Sequence, residues 1–120
     1  MRLNNHPELS LLKDHNLVGV TFIQNYLQLL MEGLYESPIL NGYVWPWIKT
    51  DKGIFSIESL GYRDALCEQI GKKLVNVLDN NEEIVLIFSD NAEIHFSIKE
   101  CDKTGPEAVM LQMGNITCVW

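Results

Sequence analysis

The sequence predicts an α+β domain. Two antiparallel three-stranded β-meanders flank one short helix, with one or two C-terminal strands, in a curved sheet or a flattened barrel. Three observations carry that expectation. Two stretches, LVGVTFIQNYLQLLM (17–31) and KLVNVLDNNEEIVLIF (73–88), repeat one alternating apolar pattern broken by short polar turns. A single segment between them, SLGYRDALCEQIG, carries helical spacing. Finally, 120 residues that are 47% hydrophobic suffice for one buried core without disulfides or metals.

Residues 1–14 form an N-terminal segment with leucines among mixed charges and no signal-peptide pattern. The first meander spans 17–48. Val18, Val20 and Phe22 fall on one strand face, with Leu17, Thr21 and Ile23 on the other. After Gln24-Asn25, Leu27, Leu29 and Met31 share a side. A loop with Gly33, Ser37 and Pro38 leads to a third run over 39–45, and the Trp45-Pro46 step ends pairing because proline has no N–H to donate.

The helix is expected over 60–71. Tyr62, Leu66 and Ile70 recur at helical spacing, Ser59 or Gly61 can cap the start, and Gly71 suits the left-handed position past the end. The second meander spans 73–99. Asp79-Asn80-Asn81 and Asp90-Asn91 supply tight turns. Ile84, Leu86 and Phe88 belong to a central strand with two apolar faces, and Ile94, Phe96 and Ile98 point inward while Glu93, His95 and Ser97 point outward. Residues 107–120 supply the C-terminal strand region. Similarity between the two meanders suggests one unit used twice, and any uncovered apolar face would be closed by a homodimer.

Lys and Arg number 9 against 16 Asp and Glu, a formal charge of −7. Such a surface repels phosphate backbones and anionic membranes, so neither nucleic acid nor membrane is an expected partner. Cys67, Cys101 and Cys118 are an odd count without a CxxC pair, which points to the reducing cytoplasm.

The runs GYRDALC (61–67), FSDNAEIHFSI (88–98) and TGPEAVMLQ (104–112) resemble a family of small bacterial proteins to which no activity is attached. The resemblance covers 17–112. Asn91 stands where that family has glycine, a swap that a positive φ tolerates. What the resemblance implies is organisation and a bacterial cytoplasmic setting, with no chemistry.

Four groups of residues are candidates for chemistry. His6, His15, His95 and the cysteines include no pair at metal-ligand spacing, so no metal is expected. Cys67 lies near the apolar stripe of the helix and Cys101 sits between Glu100 and Asp102, settings that do not activate a thiol. The eight glycines form no phosphate-binding run, so no nucleotide cofactor is expected. Arg63, Asp64, His95 and Glu107 form a possible polar cluster. They would line a cleft if the protein bound a small molecule or catalysed a reaction, or else tie the helix to the 104–107 loop.

The aromatic residues Tyr43, Trp45 and Trp47 share one side if the strand continues through Pro46. They suit a protein contact, or alternatively close one end of the core. The leading expectation is therefore a non-enzymatic protein-interaction module, with self-association among its modes of contact. The alternatives are an acidic antidote or immunity-type protein for a basic partner, and a small-molecule binder or enzyme at the polar cluster.

Overall fold

The computed structural model describes residues 7–120, so His6 lies outside the described residues. A 3₁₀ helix (Pro7–Leu12) leads into β1 (Asn16–Ile23), β2 (Tyr26–Glu32), β3 (Ile39–Gly42), β4 (Trp47–Thr50) and β5 (Gly53–Phe55). Then come α1 (Tyr62–Cys67), β6 (Leu74–Asp79), β7 (Glu83–Phe88), β8 (Glu93–Ser97), a 3₁₀ turn (Glu100–Asp102), β9 (Val109–Met113) and β10 (Ile116–Val119). The strands form two antiparallel five-stranded sheets, ordered β1-β2-β3-β9-β10 and β5-β4-β8-β7-β6. Both sheets are open, so the architecture is two facing sheets rather than one curved sheet or a closed barrel.

The two orders have the same logic. In each half, three consecutive strands pair in sequence, and the hairpin that follows leaves for the opposite sheet. Hairpin β4–β5 adds to β8, and hairpin β9–β10 adds to β3. An internal pseudo-twofold relates the halves, with Leu17, Gly19 and Met31 corresponding to Leu74, Asn76 and Phe88. Each first strand carries a bulge at the same step, between Leu17 and Gly19 and between Leu74 and Asn76.

Backbone bonds along the axis come in mates. Leu17 N–H donates to the Lys72 carbonyl (3.0 Å) as Leu74 N–H does to that of His15 (2.8 Å). Asp14 N–H donates to Leu74 (2.7 Å) as Gly71 N–H does to Leu17 (2.7 Å). Asp14 and Gly71 both have positive φ, 74° and 93°. Side chains at matched places differ while filling the same role. His15 donates its Nδ1–H to the Leu12 carbonyl (3.1 Å) and its ring lies on Gly33, while Lys72 at the matching place pairs with Asp90 at 2.7 Å.

The core lies between the sheets. Leu29, Leu40 and Leu111 form a row across one inner face, matched by Leu86, Ile94 and Ile48 on the other, and all are fully buried. Ile84, Phe88, Phe96 and Ile98 are buried as their alternation predicts. The sheets approach closely at Gly42, where an added Cβ would run into the ring of Phe96. Gly42 and Phe96 are themselves pseudo-twofold mates, the third residue of the row that pairs with Leu27 and Ile84.

Three expectations are corrected. The third strand of the first half ends at Gly42, and 43–46 is a loop. Residues 47–55 are a hairpin of the opposite sheet, turned by Asp51-Lys52 with Gly53 at φ 136°. The helix is shorter than 60–71: beyond Cys67 the chain tightens into i,i+3 bonds (Gln69 to Leu66, Ile70 to Cys67). That tightening rotates Ile70 off the stripe, leaving it 42% exposed, while Tyr62, Ala65 and Leu66 are buried.

Tyr62 links helix to site. Its hydroxyl donates to the Pro46 carbonyl at 2.6 Å in the core, and burial pushes the phenol well above its ordinary value of 10.0, against a lowering influence from Arg63. The folded protein therefore keeps a proton that the unfolded chain releases above pH 10, so stability is full below that pH and falls as pH rises. Tyr62→Phe should flatten this alkaline slope in denaturant titrations from pH 9 to 11, and cost about 1–3 kcal/mol at neutral pH by orphaning the Pro46 carbonyl. An unchanged slope would place the alkaline sensitivity elsewhere. Gly42→Ala should cost about 1–3 kcal/mol through overpacking, and Phe96→Leu in the same chain should recover part of that loss. Strict additivity of the two substitutions would refute the contact.

Candidate functional site

The three aromatics of the Tyr43–Trp47 segment do not share one side, because the strand does not run through Pro46. Tyr43 and Trp45 lie in the loop, whereas Trp47 begins β4 on the outer face of the opposite sheet. The loop is pinned from both ends. Tyr43 N–H and Val44 N–H both donate to the Ala108 carbonyl (2.8 and 3.3 Å), and Pro46 is held by Tyr62.

Opposite this loop stands the segment 98–108 between β8 and β9. Its pseudo-twofold counterpart is 43–46, so the second connection is much the longer of the two. The extra length folds over the end of the first sheet, where Thr104 Oγ1 donates to the Tyr43 carbonyl (3.4 Å). Two adjoining cavities result. The larger, about 550 Å³, is lined by Gln24, Asn25, Tyr43, Val44, Trp45, Asp102 and Thr104. The smaller, about 250 Å³, is lined by Asn25, Tyr26, Tyr43 and the run Thr104 to Glu107. Asn25, Tyr43 and Thr104 belong to both, so the two make one groove.

The rings of Tyr26 and Tyr43 meet at 5.4 Å between centroids, tilted by 45°. Trp45 is half-buried, packing against the core while lining the groove. Burial raises the Tyr43 phenol above its usual value, and the negative charge of Glu107 and the neighbouring Tyr26 raise it further. Among the described residues, no lysine or arginine lines either cavity. Lys103 lies between Asp102 and Thr104 but is turned to Glu100, 2.6 Å away.

Trp47 is the second notable place. Its ring stacks on His95 at 3.7 Å and 7°. His95 was expected to point outward, and it does lie on the outer face, in register with Val85 and Trp47, but those neighbours leave it only 9% exposed. Its Nδ1 lies 2.8 Å from Glu83 and its Nε2 2.9 Å from Glu93. Sequence reasoning missed this assembly because it depends on which strand β4 joins.

The four residues of the polar cluster occupy separate places. Arg63 lies over the Phe22 ring at 5.5 Å, Asp64 is exposed in the first turn of α1, His95 is held by Glu83 and Glu93, and Glu107 lines the groove. Cys67 is exposed at the end of α1 rather than sheltered by its apolar stripe; Cys101 is exposed and Cys118 buried. Among the described residues, no three His, Cys, Asp or Glu side chains come together to hold a metal ion, and no helix is long and apolar enough to cross a membrane.

Tyr26, Asn25, Asp102 and Thr104 joined the site only through the fold, although the Thr104-Gly105-Pro106 turn marks a loop in the sequence. No protein-family model matches the chain, and no curated protein or solved structure matches it.

If the carboxylate pair holds the Trp47 stack, His95→Ala should cost about 1–3 kcal/mol and red-shift tryptophan emission as the indole gains water. A variant with wild-type emission and stability would show the stack to be incidental.

Proposed function

We propose that the protein is a non-enzymatic interaction module that binds a partner protein in the groove between the Tyr43–Pro46 loop and residues 98–108. The observation that carries this reading is the lengthened β8–β9 connection. It departs from the internal symmetry, and it walls a groove of aromatic rings on an otherwise repeated framework. Functional contacts concentrate on loops set on a rigid scaffold, and exposed aromatics anchor interfaces.

The non-enzymatic part draws support from His95. With a carboxylate on each ring nitrogen it has no free nitrogen to take a proton from a substrate. The net charge of −7 and the acidic lining favour a partner with a basic surface, in keeping with an antidote or immunity-type role.

Self-association has its own supporting observation. The outer face around Trp47 carries Ile54 and Leu78, 65% and 46% exposed.

Thr104→Lys places a cation in the groove without touching the core. Native mass spectrometry of the protein purified from the cells that produce it should show a bound partner with the wild-type chain. The variant should lose that partner while its melting temperature stays unchanged. A partner retained by Thr104→Lys would sink the groove reading. A bare homodimer split by Ile54→Lys would move the contact to the outer sheet face.

A further inference from the structure

We infer that the groove receives an arginine side chain from a basic segment of its partner. The inference rests on the groove being the contact surface and adds the chemistry of the group it takes.

Three features converge on a guanidinium. The rings of Tyr26, Tyr43 and Trp45 offer π-faces, and planar guanidinium groups stack on aromatic rings. Carboxylates stand in both parts of the groove, Asp102 in the larger and Glu107 in the smaller. Asp102 already accepts from Ser97 Oγ, whereas among the described residues no cation pairs with Glu107. A carboxylate beside aromatic rings presents two oxygens to the fork of an arginine, a geometry that the point charge of lysine does not match.

The amides of Gln24 and Asn25 complete the lining with neutral acceptors. The same protein already sets an arginine against a ring elsewhere, Arg63 over Phe22 at 5.5 Å.

Other groups around the molecule lack this combination. The cavity lined by Asp51, Lys52, Glu68, Lys72 and Asp90 has no aromatic ring in its lining and holds two cations of its own, Lys52 at 3.2 Å from Glu68 and Lys72 at 2.7 Å from Asp90. The Glu83–His95–Glu93 set is likewise closed on itself.

The experiment is a fluorescence-anisotropy titration of labelled hepta-arginine and hepta-lysine into the full chain at physiological salt. Glu107→Gln is the test variant, and Glu36→Gln, an exposed acid outside the groove, is the control for net charge. Hepta-arginine should bind more tightly than hepta-lysine. Glu107→Gln should weaken it about tenfold, as loss of a charge-assisted hydrogen bond does, and Glu36→Gln should leave it unchanged.

Equal binding of the two peptides, equal loss in both variants, or no binding of hepta-arginine overturns the inference. Maltoheptaose serves as a neutral, hydroxyl-rich competitor. If it binds and Thr104→Lys abolishes that binding, the groove is a binding site but its ligand is a carbohydrate. If hepta-arginine binds wild type and Thr104→Lys alike, the groove reading itself fails.

Discussion

The close approach of the Phe96 ring to Gly42 is the constraint on which the two-sheet architecture depends. A pseudo-twofold axis brings corresponding positions toward each other, and two large side chains at such a place would hold the sheets apart. Two small ones would leave a void, which also costs stability. One glycine against one phenylalanine fills the space, and it can do so only if the halves differ in sequence there. Their divergence at this pair is therefore a packing requirement. The exchanged hairpins act in the same direction. Each half contributes three strands to its own sheet and two to the other, so neither sheet is complete without both halves. Separation of the halves would expose both inner faces together, which favours a single cooperative unit.

The framework holds the site loops from below. Ala108, just before β9, accepts from both Tyr43 and Val44, and Tyr62 on α1 donates directly to the Pro46 carbonyl. Sheet, helix and hairpin thus fix the two ends of a four-residue loop whose outer side chains face the groove. The facing wall comes from the longer connection, whose Gly105 has no atoms near its Cβ position and so carries no packing demand. An aromatic wall opposite a loop with few packing constraints lets the groove vary without disturbing the core.

Much of the strand content was legible in the sequence because alternation is local. LVGV at 17–20 and LVNV at 74–77 mark equivalent strand starts, and Ile84 to Phe88 reads as central because both its faces are apolar. Partner choice was not legible. Ile48 points inward in β4, yet nothing local in the sequence says that its neighbour is Ile94 in the other half. The missed hairpin had a signal in Asp51-Lys52-Gly53, but its strands are only four and three residues long, too short for periodicity to speak. The site was half legible. Tyr43 and Trp45 stood out as aromatics, but the strand reading placed Trp47 with them. The loop at 43–46 sends Trp47 to another sheet, onto His95.

The two acidic places on the molecule show how charge is distributed between structure and surface. Glu83 and Glu93 close on His95, one carboxylate at each ring nitrogen, 2.8 and 2.9 Å away. In the groove, Asp102 has only a hydroxyl as partner, and the charge of Glu107 reaches the Tyr43 phenol strongly enough to oppose its ionisation. Equal numbers of carboxylates thus give unequal potentials. The net charge of −7 alone would make the whole surface mildly attractive to cations. Internal pairing at His95, Lys52, Lys72 and Lys103 removes much of that attraction from their surroundings. The carboxylates of Asp102 and Glu107 stand beside the rings of Tyr26, Tyr43 and Trp45, and among the described residues no lysine or arginine joins them in lining the groove.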